Sequence, residues 1–566
     1  LIEVDKVNKT IDQNSYTMNT LEIMDTLQKD FGFGIVINDP QRQLKFMTAI
    51  KTNRPKVSNG TIFLFNDMVV VASQPKKAYN YVFHSMLLKF RFENNIPNRE
   101  HIMFFSENRD YDIHFLNADD KATFIREYHQ NFHNCINLNK KKHPDKPFVI
   151  WSDVSLESGL PPQLMCHSGC FCKDDVFFFG GLTHSMSASN TLIRYNVDTH
   201  DISASSSTLK PRESHTVTSV NGAVYVAFGC LKKEALSDIW KFDEINKGGW
   251  SQITVSGEPV IPRKGHSAVQ FEDLIIFFGG QDKNDNYLND VAIFDTKANN
   301  FKRLVNIPNS PTPRAYHSAC VIDNIMYVFG GRSEHGLCDD LTAFDMNKRK
   351  WLTKGGIPNI ENSDSDANSS TIMQAQGRMH HSMYQVNNRF LAIIGGSSQK
   401  SFPILEVIDT CTWKTMNVED ISLGNVPFGI SKFAAVQHKP EKILVYGGID
   451  ASAKTPTNLI YALNLKYLGV GLLPPEQPPA SSTPVKVPSM TPIATQDKEK
   501  SKDKDKKDDK DKDKDKDKKD DKDKDKDKDK DKKDDKDKKD DKDKDKKKQK
   551  EKEKEKEKKV TLLGKR

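Results

Sequence analysis

Long apolar runs, cysteine and net charge are all scarce in this 566-residue chain. No apolar run approaches the ~18 residues that cross a bilayer as a helix. The opening residues Leu1–Thr10 are polar and unlike a secretory leader. The eight cysteines, Cys135, Cys166, Cys170, Cys172, Cys230, Cys320, Cys338 and Cys411, are spread too thinly for the disulfide framework of a small secreted module. They read as free thiols in a reducing compartment, so the expected location is cytoplasmic, with membrane or cytoskeletal association. Of the 85 basic and 78 acidic residues, 33 and 28 lie between Asp497 and Lys559, which leaves 52 and 50 elsewhere. The formal charge of +7 therefore sits mostly in one tract, and no nucleic-acid partner is expected. The first methionine is Met18 and the chain opens on Leu1, so truncation at its amino end is expected.

What is present divides into four segments. Residues 1–34 pattern as one amphipathic helix, with Val4, Val7, Ile11, Leu21, Ile23, Met24 and Leu27 recurring on one side and Gly32 and Gly34 as a stop. Residues 35–139 pattern as strands followed by a helix. Gln43–Ile50 alternates, and Thr61–Ala72 is two strand runs around Asn66-Asp67. Val82–Phe92, Ile102–Ser106 and Tyr111–Leu116 are further strands. Asn117–Leu138 changes to a helical period, with Asp119 as its expected N-cap and Phe124, Ile125, Tyr128, Phe132 and Ile136 as its apolar stripe. Residues 148–467 are repetitive. Residues 468–566 run from a Pro/Ser/Thr-rich stretch into alternating Lys-Asp and Lys-Glu, which can bury no core and is expected to be a disordered, well-solvated tail.

The strand–helix order of residues 35–139, with Phe63-Leu64-Phe65-Asn66-Asp67, resembles the pleckstrin-homology (PH) domain of Rho-family guanine nucleotide exchange factors. Phe124 stands where many PH domains place Trp. The preceding Leu21-x-Ile23-x-x-x-Leu27-Gln28 resembles the last helix of the Dbl-homology domain that precedes such PH domains. The resemblance implies a Rho-family GTPase as partner, an exchange domain upstream of Leu1, and weak phosphoinositide contact. Lys45, Lys51, Arg54 and Lys56 are the lipid-binding candidates around the first strand and loop, although exposed charge on a first hairpin needs no ligand and that reading is preferred.

In residues 148–467 a hydrophobic strand ending in a glycine pair recurs: Gly180-Gly181, Gly279-Gly280, Gly330-Gly331, Gly395-Gly396 and Gly447-Gly448. Gly229-Cys230 fits if Cys replaces the second glycine. The anchors lie about 50 residues apart, apart from one longer interval that holds the polar insertion Asn359–Ser370. Arg-x-x-His precedes four of them (Arg212/His215, Arg263/His266, Arg314/His317, Arg378/His381), His167 keeps the His alone, and Phe433 takes its place in the last repeat. An aromatic opens a fourth strand at Trp250, Phe301, Trp351 and Trp413. The pattern resembles the Kelch repeat, which implies a mainly β fold with a six-bladed propeller. The sixth repeat reaches only a third strand, and Trp151-Ser152-Asp153-Val154 matches Trp250-Ser251-Gln252-Ile253, so Phe148–Val154 is expected to close the ring.

The repeated Arg and His residues recur too regularly for an asymmetric catalytic site and are expected to tie strands together. On one strand, Cys166, Cys170 and Cys172 share a face from which His167 points away, which favours packing over a metal. Some Kelch propellers carry metal-dependent oxidase chemistry, but no matching residue set is found here. No catalytic residue, metal or cofactor is expected in the chain. The propeller is expected to bind a protein, a cytoskeletal one among the candidates. The contact loops are Thr183–Asn190, Lys232–Ser237, Gln281–Tyr287, Arg332–Leu337 and Ser397–Phe402. Two functions follow: the PH–Kelch part of a Rho exchange factor, or a PH–Kelch adaptor without exchange activity, for which the amino-terminal helix is an orphan.

Overall fold

The computed structural model describes residues 20–471 apart from 33–34, 53–57, 74–78, 95–99, 106–109, 155, 157–159, 244–248, 355–372, 417, 419, 428 and 451–454. The expected tail, the 359–370 insertion and the start of the first helix lie outside the described residues. No helix among them is long and apolar enough to cross a membrane.

The amino-terminal part is a seven-stranded sheet: β1 (Leu44–Thr52), β2 (Ser58–Phe65), β3 (Met68–Ser73), β4 (Asn80–Met86), β5 (Arg91–Asn94), β6 (His101–Phe105) and β7 (Asp110–Phe115). The spatial order is β4-β3-β2-β1-β7-β6-β5, antiparallel throughout. The expected strand Val82–Phe92 is interrupted by a short 3-10 turn, Leu87–Lys89, that separates β4 from β5. Alternation in β2 and β3 sends Ile62, Leu64, Val69 and Val71 to one face and Phe63, Phe65, Met68 and Val70 to the other, and both sets are buried. Two helices make that possible. Helix α1 (20–31) lays Met24 and Leu27 on the second face, so its described part is not an orphan. Helix α2 (Ala118–Lys142) covers the first with Phe124, Tyr128, Phe132 and Ile136. The α2 cap is Asn117 rather than Asp119: the Asn117 side chain accepts a hydrogen bond from the Asp120 backbone N–H at 2.7 Å. Asp119 and Asp120 instead sit in the first turn, where carboxylates favour the helix dipole.

The remaining described chain forms six sheets of four principal strands. Blades one to five are sequential, from Ser168–Cys172 as the first innermost strand to Lys414–Met416 as the last outer one. Blade six takes Ala434–Lys439, Lys442–Tyr446 and Ile460–Asn464 from the end of the repeat and Val149–Asp153 from its beginning. The closing strand pairs antiparallel, Leu463 with Trp151, as its sequence match to the second repeat implies. Beyond it, Ser422–Gly424 adds a parallel edge strand that the sequence pattern does not show. Leu423 and Phe148 also enter the core under α2, and the Phe92 N–H donates to Asn425 Oδ1 at 3.0 Å, so the sheet and blade six share one apolar core.

Two details of the repeat correct the sequence reading. Gly229 matches Gly181, the second glycine of its pair: φ is 92° against 91°, and each N–H donates to the carbonyl of an arginine in the next blade. Phe228, not Gly229, therefore fills the first glycine position, at φ 57°, and Cys230 lies one residue beyond the pair. The phenyl ring is buried against His266 and Phe277 with centroids 5.2 and 5.0 Å away. Cys166 is not on a strand with Cys170 and Cys172. That strand begins at Ser168, and Cys166 precedes it in left-handed backbone at φ 56°. Cys170 does occupy the same register position as Thr218, Val269 and Cys320.

Candidate functional site

The innermost strands surround a channel of about 510 Å³ lined by all six blades. Near one end, buried guanidinium groups fasten blades two to five internally. Arg212 grips Asp238 with both terminal nitrogens at 2.8 Å, Arg263 grips Asp290 at 2.9 and 2.8 Å, and Arg314 grips Asp340 at 2.7 and 2.8 Å. Such paired charge-assisted bonds fix orientation as well as distance. Burial would raise the Asp238 and Asp290 carboxyls, but their arginine bonds hold both below the usual carboxylate range. In the fifth blade Arg378 binds Glu406 at 2.5 Å with one nitrogen, and Nη1 is left without a hydrogen bond.

The glycines tie each blade to the next. The N–H groups of Gly181, Gly229, Gly280 and Gly331 donate to the carbonyls of Arg212, Arg263, Arg314 and Arg378, and Gly396 and Gly448 reach Ile430 and Leu164, all at 2.8–2.9 Å. A Cβ on Gly181 would lie 2.7 Å from the Met165 carbonyl oxygen, so no larger residue fits without moving backbone. Gly180, Gly279, Gly330, Gly395 and Gly447 hold the preceding positive-φ position. Trp151 and Trp351 are buried between sheets, while Trp250 and Trp413 are half-buried, Trp413 in the turn just before its strand at φ 51°.

Just before each innermost strand, one residue adopts left-handed backbone: Cys166, Ser214, Gly265, Tyr316, His380 and Lys432, with φ between 53° and 64°. Their peptide groups form a closed ring. Cys166 N–H donates to Lys432 C=O (2.7 Å), Ser214 to Cys166 (3.0 Å), Gly265 to Ser214 (2.8 Å), Tyr316 to Gly265 (2.7 Å), His380 to Tyr316 (3.0 Å) and Lys432 to His380 (3.2 Å). Five of the six are not glycine, and each such backbone costs of order 1–3 kcal/mol. The ring is a collar at one end of the channel. The five contact loops lie on the same face, because isolated bridges join the residues beside the collar to the loops: Met165 to Leu182, Glu213 to Cys230, Lys264 to Gln281, Ala315 to Arg332 and Met379 to Ser397.

The collar side chains make a mixed polar and aromatic patch. The Tyr316 ring lies over Gly265, packs tilted against His380 with centroids 4.4 Å apart, and its hydroxyl donates to Gln281 Oε1 at 3.1 Å. Burial pushes the Cys166 thiol up to about 12, with Glu213 adding to the shift and Lys432 opposing it. Burial likewise raises Glu213 against the pull of Lys264 and Lys432, and it lowers His380 to about 4, with Lys432 adding to that shift. Cys166 is therefore a neutral thiol and His380 a neutral imidazole near pH 7. Sequence spacing could not find the collar, because its residue types share nothing. Its position one residue before each His, or Phe433, was the available signal.

Of the lipid candidates, Lys51 is exposed on the face of β1 opposite Ile50, and Lys45 sits at the register shift at the start of β1, bonded to Gln43 Oε1 at 2.7 Å. Arg54 and Lys56 lie outside the described residues.

Six four-stranded blades, glycine ties and arginine clamps define a Kelch-type β-propeller, a fold that presents loops for protein interaction. Residues 126–269 and 244–448 match the KLHDC2/KLHL20/DRC7 Kelch-repeats domain, and the chain belongs to that family. It is similar to Arabidopsis thaliana acyl-CoA-binding domain-containing protein 5, 22% identical over 56% of this chain and 50% of that one. It is also similar to rat Kelch domain-containing protein 3, 26% identical over 38% of this chain and 59% of that one. Rho GTPase-activating protein gacHH of Dictyostelium discoideum is 29% identical over 28% of this chain and 10% of its own length. The chain spans about half the length of the first curated relatives it matches.

Proposed function

We propose that the chain is a protein-interaction region in which a partner docks on the collar face of the propeller, while the amino-terminal sheet serves as a PH-type module that brings the propeller close to a membrane. The observation that carries this reading is the closed peptide ring. Five strained non-glycine residues are held around the channel end by tertiary structure, surrounded by polar loops on one face. The finer reading is the PH–Kelch part of a Rho-family exchange factor in the cytoplasm. Its support is the sheet closed by α2 with Phe63–Asp67 across its middle, and the likeness to a Rho GTPase-activating protein.

A second reading, a PH–Kelch adaptor without exchange activity, is favoured by one observation. The apolar side of α1 is covered by the chain's own sheet, so the described part of that helix does not call for another domain. Nucleotide-exchange assays on the longest natural transcript product separate the two: Rho-family nucleotide release supports the first, and no release on any Rho-family GTPase supports the second.

The docking reading is tested by proximity labelling with the wild-type chain, a Tyr316→Ala/Lys432→Glu variant, and an Asp323→Ala variant in the hairpin turn at the opposite end of its strand. Loss of a shared partner set from the collar variant alone is expected. Equal partner sets for all three would remove the collar from the mechanism. Sedimentation with phosphoinositide vesicles tests the membrane role, with salt-sensitive binding expected to weaken in Lys45→Glu/Lys51→Glu.

A further inference from the structure

The sheet face opposite the α2 core carries three side chains that no interaction surface accounts for. His101 on β6 and His114 on β7 are directly cross-strand, and Asp112 precedes His114 by two residues, so all three project from the same face. The imidazole rings stack with centroids 4.7 Å apart and 26° between planes. His101 Nε2 and His114 Nε2 both converge on Asp112 Oδ1, the second at 3.1 Å. The three ligand atoms lie within 4.8 Å of one another. Among the described residues this is the one such group of three or more His, Cys, Asp or Glu side chains. Their exposures are 14%, 30% and 19% for His101, His114 and Asp112. His101 Nε2 and Asp112 Oδ1 are both sealed from water and lie in close contact with each other.

We propose that His101, Asp112 and His114 bind one zinc-class divalent cation. Two neutral imidazoles and one carboxylate are a donor set that zinc takes, with a fourth position left for water. The backbone fixes the spacing: a cross-strand pair and an i+2 neighbour need side-chain rotation alone to reach a common centre. The facing charges are Lys51, opposite His114 on β1, Lys121 on α2, and Asp110 two residues before Asp112. The bound ion clips β6 to β7 and leaves one coordination position for an outside ligand.

The test is zinc titration of the full chain after chelator treatment and desalting, with bound metal measured by mass spectrometry. One zinc per chain is expected. Asp112→Asn and His114→Ala should each weaken binding by about 100-fold or more, and Cys166→Ser/Cys230→Ser should leave it unchanged. Melting of the metal-free variants at the wild-type metal-free temperature shows that they fold. Cobalt in place of zinc should give visible ligand-field absorption without a sulfur charge-transfer band. Absence of stoichiometric zinc, its retention by His101→Ala/His114→Ala, or its loss from the cysteine variant would each overturn the assignment.

Discussion

The propeller and the amino-terminal sheet close their cores by different means. In the propeller the blades share polar fasteners: a buried arginine clamp within blades two to five, a glycine N–H to the next blade, and one link of the collar. Over β2 and β3 of the sheet both faces are sealed by apolar stripes from α1 and α2, and Arg42–Asp67 is a side-chain clamp there. A ring must fix the angle between neighbours, and directional bonds do this where non-directional burial cannot. A sheet between two helices needs area more than angle.

The difference is broken most severely at the one strand that serves both regions. Deleting Phe148–Val154 removes the closing strand, buried Trp151 and the Phe148 contribution to the sheet core, and a thermal melt should show loss of the cooperative transition. An unchanged melting temperature would show that the ring does not depend on this strand. Next is Arg263→Ala, which leaves Asp290 buried beside Arg303 alone and should cost about 3–5 kcal/mol in denaturant unfolding. Exchanging both partners for apolar residues should cost much less. In the sheet, Leu27→Ala should cost about 3 kcal/mol through the cavity it leaves, and proteolysis should locate the damage amino-terminal to the propeller. Phe228→Gly restores the glycine pair and relieves a positive φ but empties a buried ring site, so a net loss of about 2 kcal/mol is expected. A gain in stability would mean that backbone strain outweighs packing there.

The last effect is a pH dependence. Burial depresses His167 and His317 to about 3. The unfolded chain therefore binds more protons between that value and the ordinary histidine value near 6.5. Stability is fully present above about pH 6.5 and falls as pH drops toward 3, by about 2 kcal/mol per histidine at pH 5. Melting temperature against pH should show this slope, and His317→Asn should reduce it by one histidine's share if the protein folds, since burial also lowers His215, His266 and His381. No slope between pH 7 and 5 would mean these rings are not buried neutral.

What could be read in the sequence follows the same division. The repeats are legible because identical mechanical demands recur: the Gly pair, the Arg-x-x-His and the aromatic return at one spacing, and Trp151-Ser152-Asp153-Val154 betrays ring closure by matching another blade. The glycine position filled by Phe228 is not legible, because a phenylalanine in left-handed backbone carries no local signature. The parallel edge strand Ser422–Gly424 was hidden for a different reason: three residues have no periodicity to detect. The collar depends on φ, not on residue type. In the sheet, alternation located most strands, but the β4–β5 break came from a 3-10 turn inside an apolar run, and α1 found its partner through tertiary packing that spacing alone does not specify.

The strand Val149–Asp153 is made long before its neighbour Ile460–Asn464. At about 5–20 residues per second, the ribosome adds the intervening chain in roughly 15–60 s. Throughout that interval the strand has an unpaired edge, and five blades can form before the sixth is complete. Translation speed and chaperone access over this window therefore bear on whether the ring shuts on itself or on a neighbouring nascent chain.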